Sequence, residues 1–573
     1  MSAVQFLLSL LPLIVVAVLL VGLLWPATRA MPIAWVVALG VAFLAWNMPV
    51  NWLAAASIVG VMTALSILWI VFGALVLLYT LMQAGAFDRI NEGFVAVSDD
   101  RRVQIVLLGF LLATFIEGAA GFGTPAAVVA PLLLGLGFPA LAAVVAALIG
   151  HIIAVTYGAV GTPIIVGIRT PLEDVASTQQ AINDAGMTVA EFSNEVAAWA
   201  ATYHLLAGFV MPLFAVGMVV YFFGDPDDRS LKPAWEVAPL CIFAGLAFAI
   251  PYWIAAWFIT AEFPSLIGAM VGGAIVVGTL RAGYFLPDSE WEFPPREEWP
   301  DHWVGLIEPG DAETIANNDS SMSLLAAWAP YIILVVLLVI TRVIDPVAEF
   351  LTTTLVIEWS GILGTELGSD IAWMHLPGTW LIVSALIAIP LYRMNGEQVK
   401  AAWAEAVEKL VAPFIALVFV IAMVQVMLQS GAHPGAPDAG SMIVVMAAAT
   451  ADSLGAGYPF VAAVIGALAA ALVGSNTVSN ITFGTFQFEV ASRLDISHQI
   501  LLGSQAVGGA IGNLVAIHNV VAALATVGLV GQEGRVIRLN LIPLFYYAIV
   551  VGFWTLLFIY VMPGVMPEVF DVF

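Results

Sequence analysis

The sequence has little positive charge and almost no cysteine. Its 573 residues include 16 lysines and arginines against 40 aspartates and glutamates, which gives a formal net charge of −24. An acidic balance of this size does not favour nucleic acid or anionic lipid as a partner. Cys241 is the single cysteine, and this excludes an intrachain disulfide framework and a multi-cysteine metal site.

Charge of either sign is also scarce. Charged residues make up 10% of the chain and apolar residues 62%, whereas soluble domains carry about 25% charged residues. The composition therefore predicts a polytopic membrane protein. Much of the acidic charge falls in a loop at 281–323. A solvated acidic loop and a haloarchaeal host with a high-salt cytoplasm are two open interpretations of it.

About 12 apolar runs are long enough to cross a bilayer. The first run lacks a basic n-region and a cleavage site, so we expect a span rather than a cleavable signal. The runs lie near 6–25, 31–48, 55–85, 139–168, 198–223, 236–257, 264–280, 324–343, 377–393, 410–430, 497–530 and 541–562.

Two further regions are apolar but are interrupted by polar and glycine residues. The stretch "FIEGAAGFGTP" divides 103–136 into two short arms, and "GSNT" divides 456–490 in the same way. Each region predicts a re-entrant helical hairpin with a polar tip. Each is followed by a long span with its own break, "YGAVGTP" within 139–168 and "GGAIGNLVAIHN" within 497–530.

The repeated order of hairpin and broken helix predicts an all-α inverted repeat like that of secondary transporters. The expected divisions are a first repeat at 1–223, linking spans at 224–409 that include the acidic cytoplasmic loop, and a second repeat core at 410–573. Most basic loops then face the cytoplasm, as the positive-inside rule requires. The first hairpin opens to the cytoplasm and the second to the exterior. Three arginines fall on the opposite side: Arg169, Arg342 and Arg493.

The two tips and the two breaks predict a binding site for a small anion near the bilayer midplane. Irregular backbone is tolerated at that depth only where protein or water satisfies it. Half-helices that begin at Thr124, near Pro163, near Thr477 and near Asn513 would direct free N–H groups inward. Thr124 and Ser475 are expected to be N-caps. The predicted substrate-binding residues are Gly121, Gly123, Thr124, Thr162, Ser475, Asn476, Asn480 and Asn513.

Two ionisable residues are candidates for ion coupling. Glu117 precedes the first tip and His518 lies in the second break. Charged groups at membrane depth are expensive and commonly mark ion pathways. A neutral Glu117 that only holds the turn is an open alternative, and His518 has a structural alternative too. His151 is a further functional candidate, whereas His204 is expected at the membrane interface.

These motifs resemble those of the L-lactate permease family. The resemblance is carried by "EGAAGFGTP" and "GLGFP" in the first hairpin, "YGAVGTPI" in the first break, and shorter motifs such as "WAPY", "LPGTW" and "VGLVGQEG" elsewhere. It implies uptake of a 2-hydroxy monocarboxylate, L-lactate or glycolate, by H⁺ or Na⁺ symport across the cell membrane. It also implies kinship with ion transporters that contain re-entrant hairpins.

The sequence departs from the family pattern at four positions. Asn476 stands where the family has an acidic residue, and Asn513 stands where it has a lysine. His518 replaces a glutamine and His151 replaces an asparagine. Loss of one acid and one base leaves the site electrically balanced, so the chain is expected to be a divergent member of the family.

We therefore expect a secondary transporter that is not an enzyme, needs no cofactor beyond its coupling ion and holds no metal site. Its expected partners are a small carboxylate and the lipid bilayer, without nucleic acid, and a homodimer is left open. A carrier of another small organic anion, a cation/proton antiporter of the same fold, a channel and a membrane enzyme are the alternatives. An antiporter would be expected to centre on paired intramembrane carboxylates, and Glu117 is rather alone.

Overall fold

The structure is a computed structural model that describes residues 3–562 except 24, 96, 122, 226–228, 308, 310–321 and 530. Part of the acidic loop therefore lies outside the described residues. In the described part, 11 helices are long and apolar enough to cross a membrane, or up to 13 if each bent pair is one span. This confirms the predicted all-α polytopic fold class.

The amino-terminal half consists of helices joined by short turns. Its α-helices are Ala3–Ala17, Ala27–Ala45, Val50–Gln83, Ala86–Val95, Arg101–Gln104, Ala113–Ala119, Thr124–Gly135, Ala140–Gly150, Gly158–Ile164, Thr170–Glu173, Ala176–Asp184, Val189–Ala207, Met211–Phe223, Lys232–Glu236, Ala238–Phe258 and Pro264–Arg281. Segments Val18–Gly22, Ile105–Leu112 and Ile165–Arg169 are π-helical and Ile152–Tyr157 is 3₁₀-helical. The predicted span at 198–223 is two helices that meet at 44°.

The carboxy-terminal half adds ten α-helices and a small antiparallel sheet among its described residues. The helices are Leu324–Val343, Asp345–Thr353, Pro377–Leu391, Gly396–Gln429, Met442–Leu454, Tyr458–Val473, Asn476–Leu494, His498–Gly512, Ile517–Thr526 and Glu533–Leu556. The strands Ile357–Trp359 and Ser369–Ile371 pair in register Glu358↔Asp370. Short 3₁₀ or π segments occupy Arg296–Glu298, Asp301–Trp303, Ile362–Gly364, Gly455–Gly457, Asn513–Val515 and Leu557–Val561.

Two long helices, Val50–Gln83 and Gly396–Gln429, have 34 residues each and pack along one another. Their backbones cross closely at Gly60, where an added Cβ would lie 2.4 Å from the Cα of Ala422. Since a side chain cannot fit there, Gly60 permits this crossing. Both helices are longer than a bilayer requires, and each begins before its predicted run, at residue 50 rather than 55 and at 396 rather than 410.

Both predicted hairpins are helix–turn–helix units. The first has arms Arg101–Ala119 and Thr124–Gly135, and the second has arms Tyr458–Val473 and Asn476–Leu494. The two arms of each unit pack against one another. The first arm of the first hairpin has 19 residues, which is a bilayer-crossing length, so the re-entrant depth and the inverted orientation of the two units stay predictions.

The first broken helix stops at Gly150 and resumes after a strained segment. Ala159, Val160 and Gly161 have φ of 44°, 56° and 78°, and left-handed backbone is costly for the two residues that carry a Cβ. The hydroxyls of Ser265 and Tyr252 donate to the carbonyls of residues 154 and 153. These bonds satisfy backbone groups that the break removes from helical pairing.

The second broken helix ends in a 3₁₀ turn, Asn513–Val515, and resumes at Ile517. The two helical parts meet at 44°. The side-chain amide of Asn540 donates to the carbonyl of Leu514 at 2.8 Å. The half-helix predicted near Asn513 therefore begins four residues later than expected. The reason is that Asn513 still belongs to the end of the preceding helix, where its amide caps backbone carbonyls.

Candidate functional site

The two tips and the two breaks surround one narrow cavity at the centre of the helices. Its volume is about 30 Å³, which is room for about two water molecules and less than a lactate anion needs. Its lining residues are Glu117, Gly121, Gly123, His151, Val155, Gly158, Ala159, Pro163, Gly474, Ser475, Asn476, Thr477, Asn513 and Asn519. Among these residues of the described chain, Glu117 is the only one with a carboxylate, and none is a lysine or an arginine.

Glu117 lies near the end of the first arm of hairpin one and is 4% exposed. Its Oε1 faces the first break, where an added Cβ at Gly158 would lie 2.3 Å from it. In the described part of the chain no hydrogen bond or ion pair to this carboxylate is found. A buried carboxylate without a partner is expensive in its charged form, so Glu117 is a suitable group to take up a proton or a cation.

The first tip depends on glycine at two positions. Gly121 and Gly123 have φ of +61° and +77°. A Cβ on Gly121 would lie 3.0 Å from the backbone nitrogen of Ala159, and one on Gly123 would lie 2.8 Å from Oδ1 of Asn519. The tip therefore touches both breaks, and these contacts exclude larger residues.

The second tip is a left-handed glycine followed by an N-cap. Gly474 has φ of +65° and Ser475 caps the helix that begins at Asn476, with its Oγ accepting from the N–H of Val478 at 3.4 Å. This confirms Ser475 as an N-cap. The Oδ1 of Asn476 is buried without a hydrogen-bond partner among the described residues, so an oxygen acceptor is left for a ligand.

Asn513 and Asn519 form the side of the cavity that the second break contributes. Nδ2 of Asn513 donates to the carbonyls of Gly509 and Ala510 at 3.0 and 3.3 Å, and its Oδ1 accepts from Asn519 at 2.8 Å. A Cβ on Gly509 would lie 2.0 Å from Oδ1 of Asn476. Asn476 and Asn513 thus both lie against Gly509, and these are the two positions at which the resemblance implies an acid and a base.

Four of the predicted site residues do not line this cavity. The hydroxyls of Thr124 and Thr162 donate to the carbonyls of residues 121 and 159, three positions back. Thr124 is therefore not an N-cap, and Gly123 takes that position. Asn480 is fully buried and donates to the carbonyl of Pro163 at 3.0 Å. This hydrogen bond connects the second hairpin to the first break.

His518 also lies outside the cavity lining. Its Nε2 is 2.8 Å from the carbonyl oxygen of Gly474, and the side chain is otherwise exposed. A Cβ on Gly474 would overlap the ring, at 1.1 Å from Cε1. His518 therefore packs directly against the second tip. The sequence placed it in the second break correctly but could not show which way the ring faces.

The prediction that His204 lies at the interface is wrong. Its side chain is fully buried, with Nε2 2.7 Å from the hydroxyl of Thr156 and Nδ1 hydrogen-bonded to Tyr547. The helix Val189–Ala207 packs in the interior, and this places a residue near its end in contact with the first break. His204 is a structural group that orders the 3₁₀ segment.

Several cavity residues were not predicted as substrate contacts. His151 was only a candidate, and Asn519 was not singled out although it ends the "GNLVAIHN" stretch. The signal that could have identified Asn519 is its position two residues after the start of the resumed helix at Ile517. The remaining ones are Val155, Gly158, Ala159, Pro163, Gly474 and Thr477, most of which contribute backbone or apolar contact.

A second, much larger cavity lies next to the first. Its volume is about 1490 Å³, and it is lined by parts of the resumed first break, of helix Asn476–Leu494 and of the segment 352–376. Carboxylates predominate over cations on its wall: Glu173, Asp174, Glu358, Glu366, Asp370 and Glu489 against Arg169. Arg169 is itself paired with Glu173 at 2.8 Å. In the predicted orientation this cavity faces the exterior.

The helices and the buried polar cavity define the class as a multi-pass protein of the cell membrane. The family model described as L-lactate permease matches residues 5–562. The chain therefore belongs to the L-lactate permease family, a family of membrane transport proteins.

Individual relatives are distant but cover nearly the whole chain. The L-lactate permease of Escherichia coli K12 is 26% identical over 93% of this chain and 91% of that protein. The glycolate permease GlcA of the same organism is 26% identical over 86% of this chain and 84% of that protein. The solved structure of Neisseria gonorrhoeae MtrF, described as an antimetabolite efflux pump, covers 86% of this chain at 11% identity with a TM-score of 0.41. A TM-score of this size is too low to support a conclusion about fold or function.

Proposed function

We propose that the chain is a secondary active transporter that takes up a small 2-hydroxy monocarboxylate, L-lactate or glycolate, by H⁺ or Na⁺ symport. The names of the E. coli relatives support these two substrates. One structural observation carries the proposal: a buried cavity formed by two hairpin tips and two helix breaks contains a single carboxylate and no fixed cation among the described residues.

The substrate carboxylate is held by backbone and hydroxyl donors. The helices Thr124–Gly135, Asn476–Leu494 and Ile517–Thr526 begin at or beside the cavity, and each amino terminus offers unpaired N–H groups and a partial positive charge. Such ends bind anions without an arginine or a lysine. The backbone at Gly121, Gly123 and Ala159 is close enough for a small anion to touch it directly.

The coupling ion is needed because of Glu117. An anion bound beside an ionised, buried carboxylate would be repelled strongly in this poorly solvated place. A proton on Glu117, or a Na⁺ between its oxygens and Oδ1 of Asn476, removes that repulsion. The substrate and the cation therefore bind together, and this is the physical basis of symport in the proposal.

Transport also requires the tips to move. The cavity of about 30 Å³ must widen before a lactate anion fits, and a carrier must expose its site to one side at a time. We propose that the unit of tips and breaks moves against the remaining helices, with Val50–Gln83 and Gly396–Gln429 in the static part. The large acidic cavity is the outer approach in this scheme.

The test is uptake of radiolabelled L-lactate into proteoliposomes, first with an imposed proton gradient and then with an imposed Na⁺ gradient. We expect accumulation under one of the two gradients, competition by glycolate, and loss of accumulation in Glu117→Gln. Glu397→Gln is the matched control because Glu397 is exposed in the first turn of helix Gly396–Gln429 and does not line the cavity. Absence of uptake under both gradients, by folded and inserted protein, would contradict the proposal. Normal accumulation by Glu117→Gln would contradict the role of that residue.

A further inference from the structure

We propose that His151 recognises the 2-hydroxyl group of the transported acid by accepting its hydrogen bond through Nε2. The inference rests on the proposed function. It assigns to one side chain the recognition of the 2-hydroxyl group, which distinguishes a 2-hydroxy acid from a simple carboxylate. His151 was met in the sequence only as a position where this chain departs from the family asparagine.

The orientation of the ring is fixed by the helix that ends there. His151 follows helix Ala140–Gly150 and is 2% exposed. Its Nδ1 lies 2.7 Å from the carbonyl oxygen of Ala147, one turn earlier. A carbonyl can only accept a hydrogen bond, so the proton of the neutral ring is on Nδ1 and Nε2 is left as an acceptor.

The neutral form of His151 fits its surroundings. The ring lines the cavity, and no ion pair of His151 with a carboxylate is present in the part of the chain that the structure describes. A buried imidazolium without a partner would be costly. Nε2 also has no protein partner among the described residues, and a buried acceptor of this kind needs a donor from a bound ligand or from ordered water. A hydroxyl group of the substrate that displaces such a water supplies the same hydrogen bond.

The neighbouring residue supports the same assignment. Val155, four positions after His151, lines the cavity as well. Together they offer an acceptor next to an apolar contact. The second carbon of L-lactate carries a hydroxyl that donates and a methyl group that does not. Glycolate lacks the methyl group, so it would use His151 without the contact to Val155.

Other acceptors in the cavity are less suited to this role. Oδ1 of Asn519 lies against Gly123 and Oδ1 of Asn476 lies against Gly509. The first lies at the amino terminus of helix Thr124–Gly135, which holds the carboxylate end of the substrate in the proposal. The second packs against the backbone inside helix His498–Gly512. The ring of His151 lies at the start of the first break, which is distant in sequence from both of these positions. The direction of its acceptor, Nε2, is set by the hydrogen bond from Nδ1 to the carbonyl of Ala147.

The experiment measures how well unlabelled acids inhibit exchange of radiolabelled L-lactate in proteoliposomes. The acids are L-lactate, glycolate, propionate, acetate, pyruvate and 2-methoxypropionate. For the wild type we expect each hydroxy acid to inhibit about 10- to 100-fold better than its counterpart without the hydroxyl, because that counterpart leaves Nε2 unpaired. Pyruvate and 2-methoxypropionate should be as weak as propionate, since neither can donate.

The variants separate a recognition role from a structural one. His151→Phe should bring the lactate-to-propionate ratio close to one, whereas His151→Asn, which keeps an oxygen acceptor, should restore part of it. His498→Phe is the control, because the same replacement is made at a histidine that lines neither cavity, and it should leave the ratio unchanged. If His151→Phe fails to insert, His151→Leu provides the same comparison, and the series of acids on the wild type needs no variant.

The outcomes distinguish this inference from the proposed function. No lactate exchange by the wild type would overturn the proposed function. Exchange without preference for hydroxy acids, or with pyruvate as effective as lactate, would overturn the inference alone. So would an unchanged ratio in His151→Phe, or a ratio lost in His498→Phe.

Discussion

Replacement of Gly158 by alanine is expected to disturb Glu117 and little else. The added Cβ would lie 2.3 Å from Oε1 of Glu117 and 3.2 Å from its Cδ. Gly158 has φ of −60° and ψ of 152°, a conformation that alanine adopts without strain. The cost is therefore one of overpacking against the carboxylate, about 1–3 kcal/mol of unfolding free energy.

The assay is denaturation of the purified protein in mixed micelles, together with gradient-driven lactate uptake. Gly158→Ala should lower both stability and uptake. Gly457→Ala is the matched control, because its φ is −79° and no atom lies within 4 Å of an added Cβ. It should change neither.

A double-mutant cycle tests the cause. In a Glu117→Ala background the carboxylate is gone, so Gly158→Ala should lose most of its cost, and the two changes should deviate from additivity by about 1–3 kcal/mol. Strict additivity would refute the reasoning that the Cβ acts through Glu117. Wild-type uptake in Gly158→Ala would refute the position of Glu117 in the transport site.

Three further predictions concern charge. Asn476→Asp and Asn513→Lys should each lower the free energy of unfolding by about 3–5 kcal/mol, because each places an unpaired charge in the interior. The double variant should lose less than the sum of the two. Additive losses in the same denaturation assay would show that the two positions do not interact. Glu262→Gln should destabilise by a similar amount, since it leaves Arg342, paired at 2.6 Å and 7% exposed, without its partner; an unchanged midpoint would contradict this. Burial and two nearby arginines lower the pKa of His375 to about 3 from 6.5. Between these two pH values the unfolded chain binds a proton that the folded chain does not, so stability should fall as the pH drops from about 6.5 towards 3. His375→Asn should flatten this slope.

The sequence predicted the breaks and tips because the physics that marks them is local. A glycine at positive φ, a proline at a helix start and a carboxylate in an apolar run are each visible without tertiary contacts. The same reasoning located Gly121, Gly123, Ser475, Asn476 and Asn513, which line one cavity. Their functional roles stay predictions.

The direction of a side chain is not local, and the sequence was weakest there. Thr124 and Thr162 were expected to face a ligand, but each hydroxyl donates to a carbonyl three residues back. His518 and His151 lie in similar polar stretches, yet the first packs against a tip and the second lines the cavity. Only the tertiary arrangement of the second hairpin against the first break decides between such positions.

Short helices were also missed. Ala86–Val95 and Met442–Leu454 precede the two hairpins and are too short to register as spans. The full length of Gly396–Gln429 was not predicted either, because its charged amino-terminal part continues as helix before the apolar run at 410–430. Packing of this helix against Val50–Gln83 stabilises the extra turns.

The central claim is that a small carboxylate binds between the tips and the breaks. The single cysteine, Cys241, is buried, so in a Cys241→Ala background one new thiol reports on one position. Thiol labelling of Ser475→Cys should be slowed by L-lactate, whereas Ser492→Cys, exposed near the end of the same helix, should label equally with and without it. Unaltered labelling of Ser475→Cys at saturating lactate, in protein that still transports, would contradict the account.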